Sequence, residues 1–264
     1  MYPTLFHIFG LRIDSYSVMW FIGLSLAIIW VIKRLELYGL DEYESRKIMA
    51  VSFFCMMIGA IVFKNFRRLP RVFSDPSYIL TVRNWGVSEF GAVLGAFLSA
   101  FVMCMFSRKV SFTKLCDAAT PPAFLSIAIG RWGCFLNGCC VGLPTKFFTG
   151  IHFPFDKPGL FRHPVQIYYS VISLVIIGIL LYVERRVIPR QQKKYYSVIA
   201  PLGIILYALM RFAVVPVRSR HSLLFMIPRW QYYTTYTILA GAFPFLCVWI
   251  LHSLYKLKSH SQDK

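Results

Sequence analysis

Stretches of about twenty mostly apolar residues recur along the whole chain, and each can cross a hydrocarbon layer of about 30 Å. A soluble domain of this length would show amphipathic helices facing one shared core. Here most runs are apolar all round, which is the pattern of helices surrounded by lipid or by each other. The runs predict helices near Ser15–Ile32, Ile48–Phe63, Gly86–Phe106, Leu115–Leu136, Pro164–Val183, Val198–Val215 and Trp230–Leu254. The expected fold is therefore all-α: a polytopic membrane protein of about seven transmembrane helices, forming a single domain over residues 1–264. Two connections are long. Lys64–Trp85 is basic and carries prolines, and Asn137–His163 is rich in Gly, Pro and Phe; such segments predict a small extracytoplasmic loop or head region. No internal repeat is visible, which disfavours a transporter built from inverted halves. The first apolar run begins after Asp14 without a basic leader and ends at Lys33-Arg34, so it is expected to remain in the protein.

Composition changes the picture in one respect. Of the 264 residues 57% are hydrophobic, yet the formal net charge is +18. In a membrane protein such charge gathers at the headgroup level against anionic lipid, and no basic face with interleaved aromatics predicts nucleic-acid binding. Lys and Arg are slightly more numerous in the loops on the C-terminal side, which predicts N-out, C-in. The 15 Tyr and 6 Trp suit interfacial belts. Of the 7 cysteines, Cys55, Cys104, Cys116 and Cys247 stand singly in apolar runs, as small buried side chains do.

Two arginines fall inside predicted spans: Arg131 closes the uncharged run Ala123–Gly130, and Arg211 lies within Val198–Val215. A guanidinium at mid-membrane costs at least ~2.5–3.5 kcal/mol and cannot shed its proton. Few carboxylates are placed to pair with them: Asp117, Glu89 and Asp14. Fixed positive charge in a water-poor cavity suits an anionic substrate, and phosphate matches the guanidinium fork. Snorkelling, or a structural pair with Asp117, explains the same residues without a substrate. Around Arg131, glycines at 130, 133, 138 and 142 allow close backbone approach or an anion nest, with Asn137 between them. Packing through small residues would account for Gly130 and Gly133 alone. The string Arg162-His163-Pro164-Val165-Gln166-Ile167-Tyr168-Tyr169 then opens the fifth span, where His163 and Gln166, three apart, are expected on one face.

Taken in order, these strings resemble the prolipoprotein diacylglyceryl transferase family. Gly130, Arg131, Gly133, Phe135, Asn137 and Gly142 match its central signature; His163, Pro164, Gln166 and Tyr168 match its His-Pro string; Tyr207 and Arg211 match its late Tyr-x-x-x-Arg. An early Tyr-Gly pair appears as Tyr16-Ser17, and Asp117 matches the acidic residue before the signature. The resemblance runs along essentially the whole chain. It implies transfer of the diacylglyceryl group of phosphatidylglycerol to the lipobox cysteine of a prolipoprotein, in the bacterial inner membrane, with no cofactor. On that resemblance Arg131, Arg211, Tyr207 and Tyr16 are the expected catalytic residues. Asn137, Gly138, Gly142, Arg162, His163, Gln166, Tyr168, Arg218 and Glu89 are expected to line the lipid-phosphate site.

The chain also departs from the family. Phe90 stands at a polar ring position of the third span, Cys134 and Cys139 stand for the signature's Asn and Glu, and Val215 stands for a Glu after the late Arg. Another acceptor, a lipid-binding protein without turnover, and an anion transporter therefore stay open as alternatives. For Cys134, Cys139 and Cys140 the readings are small-residue packing, a disulfide or a lipid-carrying thiolate. Their spacing is not a common zinc pattern and adjacent cysteines rarely ligate one ion, so no metal is expected.

Overall fold

The computed structural model describes residues 2–8, 11–65, 74, 88–107, 109–186 and 198–218. Six helices occupy most of them: α1 (Ser15–Leu35), α2 (Glu42–Asn65), α3 (Glu89–Phe106), α4 (Phe112–Leu136), α5 (Val165–Arg186) and α6 (Ile199–Val214). Each coincides with one of the first six predicted spans to within a few residues. The seventh, Trp230–Leu254, lies outside the described residues. The segments Ser15–Tyr38, Glu42–Phe63 and Val165–Arg186 are long and apolar enough to cross a membrane, and Gly91–Phe106 and Ile199–Val214 are shorter apolar helices. Phe21, Phe54, Phe106 and Phe212 point outward from the fold, as lipid-facing side chains do. The molecule is a mostly helical, multi-pass membrane protein.

Strands correct the all-α expectation. An N-terminal hairpin pairs β1 (Thr4–Ile8) with β2 (Leu11–Asp14) in the register Phe6↔Ile13, His7↔Arg12 and Ile8↔Leu11, with an irregularity between Thr4 and Phe6. The sequence signal was a glycine, Gly10, between two short runs of aromatic and β-branched residues. A second, minimal pair joins β3 (Ile151–His152) to β4 (Phe161–Arg162) within the long 137–163 connection.

The described chain falls into two compact units, residues 38–115 and residues 1–37 with 116–264. In the first, α2 and α3 run antiparallel with their backbones in close approach. A Cβ on Gly59 would strike the Gly91 carbonyl, and one on Gly95 would strike the Cys55 carbonyl. Small residues permit this contact, and without a hydrophobic drive between helices in lipid such packing is what holds them together.

In the second unit, α1 runs antiparallel to α4. Gly23 lies against Ser126, Trp20 covers Gly130, and Tyr16 lies on Gly133. The apolar core joins α4, α5 and α6 through Phe124, Val165, Tyr169, Ile176, Leu180, Met210 and Val214. Helix α4 carries Pro121 and Pro122 in its interior. Pro122 cannot donate to the Ala118 carbonyl four residues back, and that freed carbonyl accepts Arg34 Nε at 2.9 Å. Arg34 also grips Glu184 with two bonds of 3.0 and 2.7 Å, both side chains being almost wholly buried. Arg34, at the end of the first apolar run, is thus a buried ion-pair residue. Asp117 accepts the backbone N–H groups of Val198 (3.1 Å) and Ala200 (2.7 Å), capping α6 from a distance.

Candidate functional site

The site grows from the way α4 ends. Gly138 N–H donates to the Phe135 carbonyl at 3.1 Å, and Cys139 N–H donates to the Cys134 carbonyl at 3.0 Å. Gly138 has φ +69. This is a Schellman ending, whose left-handed residue is most easily a glycine and whose geometry brings the third-last helical position against the second residue past the cap. Those positions are Cys134 and Cys139. Cys140 then adopts φ +59, a left-handed backbone costing a non-glycine residue ~1–2 kcal/mol, and its sulfur joins the other two. All three Sγ atoms lie within 4.8 Å of one another. Gly138, one of the residues expected to line the phosphate site, caps the helix, and its position between the cysteines is the sequence signal for the cluster.

Charge surrounds these sulfurs. Arg131, one turn before Cys134, is buried and lies 4.6 Å above the ring of Tyr169 on α5. Hydrogen bonds from the Cys134 and Cys139 thiols hold the Cys140 thiol well below its ordinary pKa; burial opposes the shift, and Arg218 and Arg131 add to it. The Asn137 side chain is near enough to the Cys139 thiol to favour its ionised form. Tyr16, in the first turn of α1, is within electrostatic reach of Arg131 and all three cysteines. Arg218 arrives through a small ladder: Gly142 pairs with Arg218, Leu143 N–H donates to Val217 O at 2.8 Å, and His163 N–H donates to Leu143 O at 3.1 Å. Gly142 sits so close to His163 that an added Cβ would lie 2.5 Å from its carbonyl oxygen. Tyr16, Arg131, Asn137, Gly142 and Arg218 therefore gather near one end of α4.

Gln166, 1% exposed, donates to the Cys139 carbonyl at 2.6 Å and so pins the turn to α5. Its Oε1, the Tyr169 hydroxyl and Trp20 Nε1 are buried with no hydrogen-bond partner among the described residues. Leaving such groups unsatisfied costs ~1–3 kcal/mol each, so a polar ligand here would relieve a real penalty. Trp20 and Tyr169 were not among the expected site residues; Tyr169 could have been found as the aromatic one turn beyond Gln166.

Other expected residues take different places. Arg162 is held by Asp156 through bonds of 2.7 to 2.9 Å, which raise its pKa further, and its charge organises the 137–163 loop. Its expected part at the phosphate would have to be played with Asp156 as a standing partner. His163 Nδ1 lies 3.1 Å from the Tyr168 hydroxyl, itself 2.7 Å from Thr149 Oγ1. His163 precedes α5 and belongs to the backbone ladder, so it does not share a helical face with Gln166. Tyr207 and Arg211 lie one turn apart on α6, and Tyr207 packs near Phe124, two turns before Arg131 on α4. Glu89 opens α3 in the other unit; its side chain, and those of Phe90 and Val215, lie outside the description.

Residues 3–249 match the family model described as prolipoprotein diacylglyceryl transferase. A phosphatidylglycerol–prolipoprotein diacylglyceryl transferase of Clostridium tetani is 28% identical over 249 residues, covering 93% of this chain and 97% of that protein. The same-named protein of Clostridium novyi is 30% identical over 225 residues, with 83% and 85% covered. A Clostridium perfringens protein named as the second such transferase is 26% identical over 263 residues, with 98% and 97% covered. A match spanning nearly the whole chain, on a helical frame that carries the Arg131 signature, establishes that this chain belongs to the prolipoprotein diacylglyceryl transferase family.

Proposed function

We propose that this chain moves the diacylglyceryl group of phosphatidylglycerol onto the cysteine thiol of a prolipoprotein. The observation that carries the reading is Arg131, buried at the end of an apolar helix among Tyr16, Tyr169, Asn137 and Arg218. In this reaction the acceptor sulfur forms a bond to the glycerol carbon bearing the phosphate ester. The carbon–oxygen bond breaks, and glycerol phosphate leaves with the electron pair while the thiol proton passes to a base. The negative charge on the departing phosphate needs preorganised cations, a role this reading gives to Arg131 and Arg211, with Arg218 near the cysteines that Arg131 also reaches. Tyr16 and Tyr207 hydrogen-bond the glycerol region, and Asn137 and Gly142 shape the pocket.

The two compact units form one transmembrane domain in this reading, since the family match crosses both. The chain has about seven membrane helices, lies in the bacterial inner membrane with its N-terminus outside, and carries the 137–163 segment as its extracytoplasmic head. Cys134 and Cys139 in place of the signature's Asn and Glu favour a second reading, a paralogue serving another thiol acceptor.

Purified protein in phosphatidylglycerol vesicles is expected to transfer glycerol-labelled lipid to a lipobox peptide, and not to the same peptide with serine for cysteine. Transfer to a different thiol peptide alone would select the paralogue. A folded, lipid-binding protein that transfers to no thiol would overturn both.

A further inference from the structure

The three cysteines have no part in the reaction as derived above, yet the fold goes to some length to assemble them. A helix ending brings Cys134 to Cys139, and a left-handed residue that is not glycine brings Cys140 to both. Cys134 and Cys139 are 2% and 5% exposed. Within 4.8 Å of each other, the sulfurs are a small adjustment from the spacing of about 3.8 Å that three thiolates adopt around one zinc ion at ~2.3 Å. Adjacent cysteines rarely reach one ion because an extended or helical backbone points them apart; the positive φ of Cys140 removes that obstacle. A disulfide between any two would leave the third thiol over. Charge points the same way. Three thiolates and a divalent ion carry a net single negative charge, and the buried Arg131 stands one turn before Cys134 on the same helix. Gln166 fixes the Cys139 backbone, as an outer-shell partner does.

We propose that Cys134, Cys139 and Cys140 bind one thiophilic d10 cation, Zn2+, as a three-thiolate site whose fourth position receives the acceptor thiol. The ion site stands on geometry alone; its use rests on the transferase reading. A thiol entering a zinc coordination sphere loses its proton to solvent. Its sulfur then forms the carbon–sulfur bond as the carbon–oxygen bond to phosphate breaks and glycerol phosphate leaves with the electron pair. The thioether product has no anionic sulfur to hold it on the metal. The metal thus takes the place of a general base.

The first test is metal binding by the full chain in detergent, read with Zn2+ stoichiometry and with Co2+, whose thiolate charge-transfer absorption reports its ligands. One ion per chain is expected. Cys134→Ser, Cys139→Ser and Cys140→Ser are each expected to weaken binding at least about tenfold, while Cys104→Ser and Cys116→Ser leave it unchanged. Unaltered thermal stability of the serine variants in metal-free buffer separates lost ligands from lost fold. Wild-type protein that binds neither ion with all three thiols reduced overturns the site, and so do three serine variants that bind like wild type.

The second test adds lipobox peptide to the Co2+ form. The cysteine peptide is expected to change the visible spectrum and the serine peptide is not. An unchanged spectrum overturns the acceptor's place on the metal. Full turnover after the metal is removed does the same. A thiol-dependent spectral change without lipid transfer would sustain the metal site and overturn the transferase reading instead.

Discussion

Two buried arginines on neighbouring helices make the informative comparison. Arg34 on α1 is closed: two of its nitrogens meet the Glu184 carboxylate, and Nε meets a carbonyl that a proline released. Arg131 on α4 instead lies over an aromatic face, with sulfurs, a tyrosine and a second arginine nearby. Both are 6% exposed or less. Burial therefore does not mark an arginine as functional; the company it keeps does. The first partner set neutralises the charge within the fold, whereas the second holds the guanidinium against Tyr169 and within electrostatic reach of Tyr16 and the cysteines.

The largest effect is expected at the closed pair. Glu184→Ala leaves Arg34 charged in an apolar setting and is expected to lower stability by ~3–5 kcal/mol, read as thermal unfolding in detergent. The double replacement Arg34→Met with Glu184→Leu should recover most of that loss, because it removes both charges and fills the space. If the double variant stayed as unstable as the single one, or if transfer fell while stability held, Arg34 would belong with Arg131 and the contrast would collapse.

The reverse pattern is expected for Arg131. Arg131→Ala should reduce transfer about 10²–10³-fold, equivalent to ~2.7–4 kcal/mol of lost transition-state stabilisation, with a smaller change in unfolding temperature. Arg131→Lys should recover part of the rate, since charge returns without the fork. An Arg131→Ala protein that loses its fold but turns over normally when stabilised would make Arg131 a structural residue.

Much of this frame was legible beforehand. Six helices follow from apolar run lengths, because lipid imposes one minimum length on every span. The strings around Arg131 and His163 carry the family resemblance in the sequence alone. What escaped was set by partners far apart in sequence. The Arg34 pair is silent in the sequence because Glu184 lies 150 residues away. A nearer partner is also silent in the sequence: Asp156, six residues before Arg162, pairs with it across the loop, and no motif announces the pair. The gathering of the three sulfurs is hidden because spacing carries no backbone sign, and a positive φ at Cys140 cannot be inferred from its residue type.

Asp117 sharpens the comparison from the anionic side. As the acidic residue nearest the signature in sequence, it was a candidate counterion for the membrane arginines, yet both its oxygens accept backbone N–H groups at the start of α6. Asp117→Ala is expected to cost ~1–3 kcal/mol by leaving those donors unsatisfied. The unfolding temperature should fall while the apparent affinity for phosphatidylglycerol holds. A selective change in lipid affinity, with stability intact, would return Asp117 to the site.

The smallest expected effect comes from Asp156→Asn, and it tests whether a carboxylate is what separates the two classes of arginine. Arg162 stays protonated at any ordinary pH, so removing the Asp156 charge releases a cation rather than neutralising one. The Asp156 carboxylate is buried but Arg162 is one-fifth exposed and keeps access to water, so the loss of stability should be about 1 kcal/mol, at the upper end for a pair that solvent screens. If Arg162 only organises the 137–163 loop, transfer falls modestly with the loosened loop, and the double variant Asp156→Asn with Arg162→Gln behaves like the single. If Arg162 is a phosphate ligand that its partner restrains, the single variant should bind phosphatidylglycerol more tightly, and Arg162→Gln should abolish that gain. The structure favours the first outcome, because the same guanidinium also reaches the Gly142 carbonyl at 3.4 Å and so ties the loop to the ladder that carries Arg218.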